Sequence, residues 1–366
     1  MEQKARSFSQ NSDSLKPETN MNSSSLHTVN DTALEDWSSA GITAACVILG
    51  MCFLVGTPGN LLVAWTILKY VKQRSHTVLL ILHLAVADLL VLITLPLWIY
   101  SLARSWVFGE AVCKAMVYII NACMYSSVFI ITIMSVGRFL AVRYPLKMLN
   151  WQNKTSMSKI LAVTWILSFI LGIPVILTQD LDVDDNGLKH CLSRVYSSVS
   201  FEVFCICLET LLGFIIPFFT LAICYCQVAT DLRKVRFKIK QKSIFLIGGV
   251  VVAFILCWLP HHVLNITGMV VLLEGQLDEP SPIPNSVVFI SGALAFISSS
   301  VNPVLYMFAS RNFHGNLRKF GIVKLFQDLG TQTGQTREGF LQVSGLQNGN
   351  ILEEQTNGET RELVDL

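Results

Sequence analysis

Seven apolar stretches dominate the chain, at about residues 41–69, 77–103, 111–137, 159–178, 199–230, 243–273 and 284–309. Each is long enough to cross a bilayer as a helix. Only 14% of the 366 residues are charged, far below the roughly 25% of soluble domains. In hydrocarbon every backbone group must find its partner within its own segment or barrel. The sequence therefore predicts an all-α, seven-transmembrane helix bundle over residues 41–310.

The short links give the orientation. Lys69, Lys72 and Arg74 fall in the first, and Arg143, Lys147 and Lys154 in the third. Arg233, Lys234, Arg236, Lys238, Lys240 and Lys242 crowd the fifth. Asp180, Asp182, Asp184 and Asp185 lie in one alternate link, and Glu274, Asp278 and Glu279 in another. The positive-inside rule then puts the N-terminus outside and the C-terminus inside.

The third stretch is the most informative. Its ends, Cys113 and Arg138, lie roughly 37 Å apart along a helix, more than the hydrocarbon core of about 30 Å. Between them Asn121, Tyr125, Ser126 and Ser127 put polar groups at mid-depth. Such a helix can join an outer pocket to an inner surface, or be a structural span with an arginine at its end. Most of the ten cysteines sit inside apolar runs and read as small apolar residues. Cys113 and Cys191 alone fall where an oxidising exterior could join them.

The flanks differ in kind. Residues 1–40 are polar, lack a signal-type apolar core and are expected to be disordered; Asn22 and Asn30 match the glycosylation acceptor pattern. Residues 311–326 alternate apolar and basic side chains, as in a short amphipathic helix on the inner leaflet. Residues 327–366 are expected to be a disordered tail, with Thr331, Thr333, Thr336, Ser344, Thr356 and Thr360 as candidate phosphoacceptors.

Polar groups inside the membrane are costly and carry the functional candidates. Asp88, in the second span, needs a partner or a proton. Asn60, Ser127, Ser298, Ser299 and Asn302 lie at similar depth. Asp88, Ser127, Ser298 and Asn302 together suit a sodium ion or a water network, and equally a plain packing hydrogen bond between helices. Pro96, Pro174, Pro217, Pro260 and Pro303 interrupt spans, with Trp258 and Phe254 preceding Pro260 as a lever or as core packing. Tyr118, Asn121 and Tyr125 recur at helical spacing; Glu209, His261, His262 and Asn265 join them in the outer halves of spans five and six. The set is mostly hydrocarbon with a few hydrogen-bonding groups, which fits an apolar ligand bearing hydroxyl or carboxyl groups.

Enzyme chemistry has no footing. The sequence shows no metal-ligand spacing, nucleophile elbow, phosphate loop or dinucleotide fingerprint. No cofactor beyond the sodium site and no nucleic-acid partner is expected.

One motif per span, in order, gives a resemblance. Gly59-Asn60, LAVAD ending at Asp88, WVFG at Trp106–Gly109, Trp165, CWLP at Cys257–Pro260 and NPVLY at Asn302–Tyr306 are present, with Phe313 following. The chain resembles the rhodopsin-like G-protein-coupled receptors over about residues 56–326. The resemblance implies a Cys113–Cys191 disulfide and a plasma-membrane receptor. It also implies activation through Arg138, Tyr225, Phe254, Trp258, Pro260, Asn302, Pro303 and Tyr306. A heterotrimeric G protein would bind inside, with arrestin and receptor kinases acting at the tail.

Within that family LILHLAVADL, MYSSV at Met124–Val128, LETLLGFIIPF at Leu208–Phe218, WLPHHVLN and ALAFISSSVNPVLY are similar to the leukotriene B₄ receptors of the chemoattractant branch, nearer the second subtype. This implies a hydroxylated eicosanoid ligand, inhibitory G proteins, and Tyr125, Arg194, Glu209 and Asn265 as ligand contacts. The alternative is a peptide chemoattractant receptor of formyl-peptide or complement-fragment type. The N-terminal segment has neither tyrosine nor cysteine to serve sulfotyrosine-dependent capture or a second outer disulfide. The sequence departs from the pattern in three places. Gly137 stands where most of the family has an acid before the arginine, and Gln179 and Val288 replace expected basic residues. The first departure implies raised basal activity.

Overall fold

A computed structural model describes residues 23–71, 75–144, 154–183, 187–233, 238–274, 285–311 and 327. Seven of its helical segments are long and apolar enough to cross a membrane. The first span, Ser39–Tyr70, is the later part of helix Ser23–Tyr70. The second is built from His76–Leu92 and Leu95–Ala103, the third from Glu110–Arg143 and the fourth from Lys154–Thr178. The fifth combines Val199–Thr210, a π-helical turn at Leu211–Ile215, and Ile216–Arg233. Lys238–Leu273 and Asn285–Arg311 are the sixth and seventh.

Boundaries follow local chemistry. Helix one is described from Ser23, so residues 23–40, expected from composition to be disordered, are helical in this structure. No proline or glycine lies between Ser23 and Ala40, and extending an existing helix avoids the cost of nucleation. Pro96 does not merely bend span two. It starts a new helix after a break at Ile93–Thr94, where the Thr94 hydroxyl donates to the Val91 carbonyl at 2.6 Å. Pro174, Pro260 and Pro303 lie inside their helices, and Pro217 follows the π turn. Asn22 and residues 312–326 and 328–366 lie outside the described residues, and with them one glycosylation site, the expected amphipathic helix and the tail.

Span three runs through the middle and packs against spans two, four, five and six. Ile81, Leu84, Ile130, Met134, Leu221, Phe254 and Tyr306 belong to one buried cluster. Leu54, Val163, Leu177 and Leu256 face outward. Lipid tails solvate such residues as well as another helix would, so association rests on close packing and polar contacts. Glycines make that packing possible between spans one and seven. A Cβ on Gly59 would stand 2.7 Å from Pro303, and one on Gly56 2.7 Å from the Ser300 hydroxyl.

One end of the bundle is capped by an antiparallel hairpin, β1 (Gln179–Val183) and β2 (Lys189–Arg194). Its register pairs Gln179 with Arg194 and Val183 with Lys189, with an irregularity between Asp180 and Asp182. Cys191 of β2 is bonded to Cys113 at the start of span three, their Cα atoms 5.8 Å apart. Beside the disulfide, buried Trp106 donates its indole N–H to the Gly109 carbonyl at 2.7 Å and packs on Trp98 and Phe108. Gly109 has φ +84°, a left-handed conformation that glycine adopts freely immediately before a helix. The WVFG run is therefore a buckle that fixes the hairpin over spans two and three.

Candidate functional site

Beneath the hairpin lie two chambers that share Asn121, Tyr125 and Glu209. The upper is walled by Pro174, Val175 and Thr178 of span four, Arg194 at the end of β2, Tyr196 beyond it, and Cys205 and Leu208 of span five. The deeper reaches Met124, Val128, Gly213, Trp258 and His262. The upper chamber sets Asn121, Tyr125, Thr178, Arg194, Tyr196 and Glu209 among apolar residues, and the deeper is mostly apolar, a combination found in small-molecule sites.

Glu209 is the hub of the upper chamber. Its Oε2 accepts from Arg194 Nη1 at 3.2 Å. Its Oε1 accepts from His261 Nε2 at 2.9 Å and from Asn265 Nδ2 at 3.3 Å. A carboxylate only accepts, so His261 carries its proton on Nε2 here. These bonds tie the hairpin end to spans five and six. Burial lowers the pKa of Arg194, but Glu209 together with Tyr196 overrides it, and the guanidinium stays above its ordinary value.

The deeper chamber is aromatic. His262, 1% exposed, stacks on Phe214 at 4.8 Å and on Trp258 at 5.8 Å between ring centroids. Neither of its ring nitrogens has a hydrogen-bond partner among the described residues. Leaving such a group unpaired costs about 1–3 kcal/mol, so its edge onto the chamber is a prepared contact for a ligand donor or acceptor. Below it Phe254 packs on both Phe214 and Trp258. The Trp258 indole donates to the Ser298 hydroxyl at 3.2 Å.

The expected ligand residues thus divide. Asn121, Tyr125, Arg194, Glu209, Trp258 and His262 line the chambers. His261 and Asn265 act one step behind, holding Glu209. Tyr118 lines neither chamber: its hydroxyl donates to the Phe169 carbonyl at 3.2 Å, and its ring lies against Gly172. Tyr196, which hydrogen-bonds Arg194, was not singled out in the sequence, although its position two residues on in extended chain is a legible signal. Leu171, Pro174, Val175 and Thr178 were likewise visible as a helical stripe on span four. Gly213 lies in the π turn, which has no sequence signature.

At mid-depth Asp88 accepts from Asn302 Nδ2 at 2.7 Å and from the Ser127 hydroxyl at 3.3 Å. Ser299 also hydrogen-bonds Asp88, whereas Ser298 is turned to Trp258. Buried Asn302 Oδ1 and Asn60 Oδ1 have no hydrogen-bond partner among the described residues. A carboxylate with spare amide oxygen beside it fits a small hard cation, held by Asp88, Ser127 and Asn302 without Ser298.

At the opposite end from the hairpin, Arg138, Ser135, Cys224, Tyr225, Val228, Gly248 and Val251 line a third cavity. Among the described residues the buried Arg138 Nε has no partner. Tyr225 lies over Gly248, where a Cβ would stand 2.6 Å from its ring. Tyr306 is buried, one turn beyond Asn302 and Pro303.

Residues 59–306 match the family described as 7 transmembrane receptor (rhodopsin family). The chain belongs to that family. It is therefore a multi-pass plasma-membrane receptor that couples to G proteins, and not an enzyme. Leukotriene B4 receptor 1 of Homo sapiens is 35% identical over 305 residues, covering 81% of this chain and 85% of the relative. Leukotriene B4 receptor 1 of Rattus norvegicus is 38% identical over 300 residues, covering 80% and 84%. Somatostatin receptor type 2 of Mus musculus is 28% identical over 292 residues, covering 77% of each.

Proposed function

We propose that this receptor responds to a hydroxylated eicosanoid, leukotriene B₄ or a related hydroxy fatty acid. It signals through an inhibitory G protein, with the hairpin end and the N-terminus outside. Receptor kinases and arrestin act on the tail. The observation that carries this reading is the chemistry of the joined chambers. Apolar walls run between Arg194 at the top, a cation for an acid group, and the unpaired His262 imidazole at depth, a partner for a hydroxyl. The relatives named leukotriene B4 receptor 1 support the lipid class. A sodium ion at Asp88, Ser127 and Asn302 completes the reading.

A panel of hydroxy fatty acids against formyl-peptide and complement-type peptides tests the ligand class. Cells expressing the chain are read by inhibition of cAMP formation, with and without pertussis toxin. The expected outcome is a stereospecific, toxin-sensitive response to a hydroxy fatty acid that Arg194→Ala abolishes. A response to peptides alone moves the ligand class to the peptide alternative.

A further inference from the structure

Arg194 and Glu209 are the fixed charges among the described residues that line the two chambers, and they cancel. They meet in a single contact, Nη1 to Oε2 at 3.2 Å. Glu209 does not depend on that contact alone, because its other oxygen holds His261 and Asn265 of span six. An acid ligand brings a second anion to one guanidinium. Two carboxylates on one partly buried cation repel each other, and the repulsion is weakly screened at low dielectric.

We propose that Glu209 is a built-in rival for the ligand's acid group: it holds the place on Arg194 that a ligand carboxylate takes, and the ligand binds by exchange. This rests on the fatty-acid reading above and adds what sets the ligand's charge preference. On exchange Arg194 passes from Glu209 to the ligand, so the end of the hairpin lets go of span five. Glu209 keeps its two donors on span six. Arg194 keeps one carboxylate partner throughout, while Glu209 Oε2 gives up its guanidinium donor and the carboxylate is held through Oε1 by His261 and Asn265. The exchange changes which elements are tied: hairpin, span five and span six before, hairpin with ligand and span five with span six after. A neutral ligand has no reason to disturb the pair.

The test uses the full-length receptor in membranes, with a labelled monohydroxy eicosanoid acid and its methyl ester as probes. Glu209→Gln keeps the side-chain size and an acceptor for His261, and surface staining verifies its folding. The expected result is that Glu209→Gln binds the acid about tenfold more tightly than wild type, as for loss of one competing charge at a close pair, while the ester changes less than about twofold. On an Arg194→Lys background, which retains a cation, the gain is smaller; on Arg194→Gln it vanishes. Weaker acid binding by Glu209→Gln, or an equal gain for the ester, overturns the exchange and leaves the lipid reading standing. Absence of binding of either probe to wild type and to Glu209→Gln overturns the lipid reading and the exchange with it.

Discussion

A buried imidazole with two unpaired nitrogens is a costly residue, and His262 is held there by its rings. It is wedged between Phe214 and Trp258 in near-parallel stacks. Phenylalanine fits the same slot without the desolvated polar edge. His262→Phe is therefore expected to preserve or slightly raise thermal stability, by up to about 1–2 kcal/mol, because an unsatisfied polar group is removed. The same change should lower potency toward a hydroxylated ligand by about tenfold while leaving the deoxy analogue nearly unaffected. A melting curve of the purified receptor and paired concentration–response curves check both halves. An equal loss for both ligands would assign His262 to shape rather than to hydroxyl recognition. At this scale much of the site was legible in sequence, since intramembrane polar residues are few and each is informative. Partnership was not. Glu209, His261 and Asn265 read as three wall residues, and only the relative rotation of spans five and six shows them as one cluster. Tyr118 shares the helical stripe of Asn121 and Tyr125, yet turns to span four to satisfy its hydroxyl at Phe169.

Among the elements, spans three, five and six meet around Arg138, whose Nε has no partner among the described residues. Gly137 precedes it, and a Cβ added there meets nothing within 4 Å. An aspartate at 137 is thus sterically free to enter and is adjacent in chain to an arginine whose Nε is unpaired. Gly137→Asp is expected to restrain Arg138 by a partly buried charge-assisted bond, roughly 1.5–3 kcal/mol, and so to lower basal activity. GTPγS loading in membranes without added agonist measures it. Unchanged basal loading would show that the resting state is held elsewhere, for instance by Tyr225 lying over Gly248. The elements themselves were readable because a hydrocarbon environment accepts few alternatives. Their ends were less so. The polar segment before residue 41 reads as disordered from composition, but from Ser23 on it continues a helix that the span has already nucleated. The break at Ile93–Thr94 is held by local bonds, Thr94 to the Val91 carbonyl among them, whereas the π turn after Thr210 has no local pattern that records it.

Across the whole molecule, a polar belt at mid-depth lies between the ligand chambers and the Arg138 end. Asn60 of span one donates to the Ser299 carbonyl at 3.0 Å. The Ser300 hydroxyl donates to the Cys52 carbonyl at 3.1 Å. Asp88 of span two holds Ser127 of span three and Asn302 of span seven. Trp258 of span six joins through Ser298, one residue from Ser299 on the same helix. Individual bonds of this kind in membranes average about 0.6 kcal/mol, too little to lock the bundle but enough to bias it when several change together. A cation bound by Asp88 and the spare Asn302 oxygen would hold spans two, three and seven in this arrangement, and so oppose any rearrangement that agonist favours. By linkage, the cation and the agonist then weaken each other's binding by the same factor. Replacing potassium by sodium in the assay buffer at constant ionic strength should therefore lower agonist affinity in wild type. Asp88→Asn keeps the shape and the hydrogen bond to Ser127, but removes the charge that a cation requires. That variant should bind agonist equally well in either salt. A sodium effect that survives Asp88→Asn would place the ion elsewhere, and its absence in wild type would leave the belt as hydrogen bonds alone.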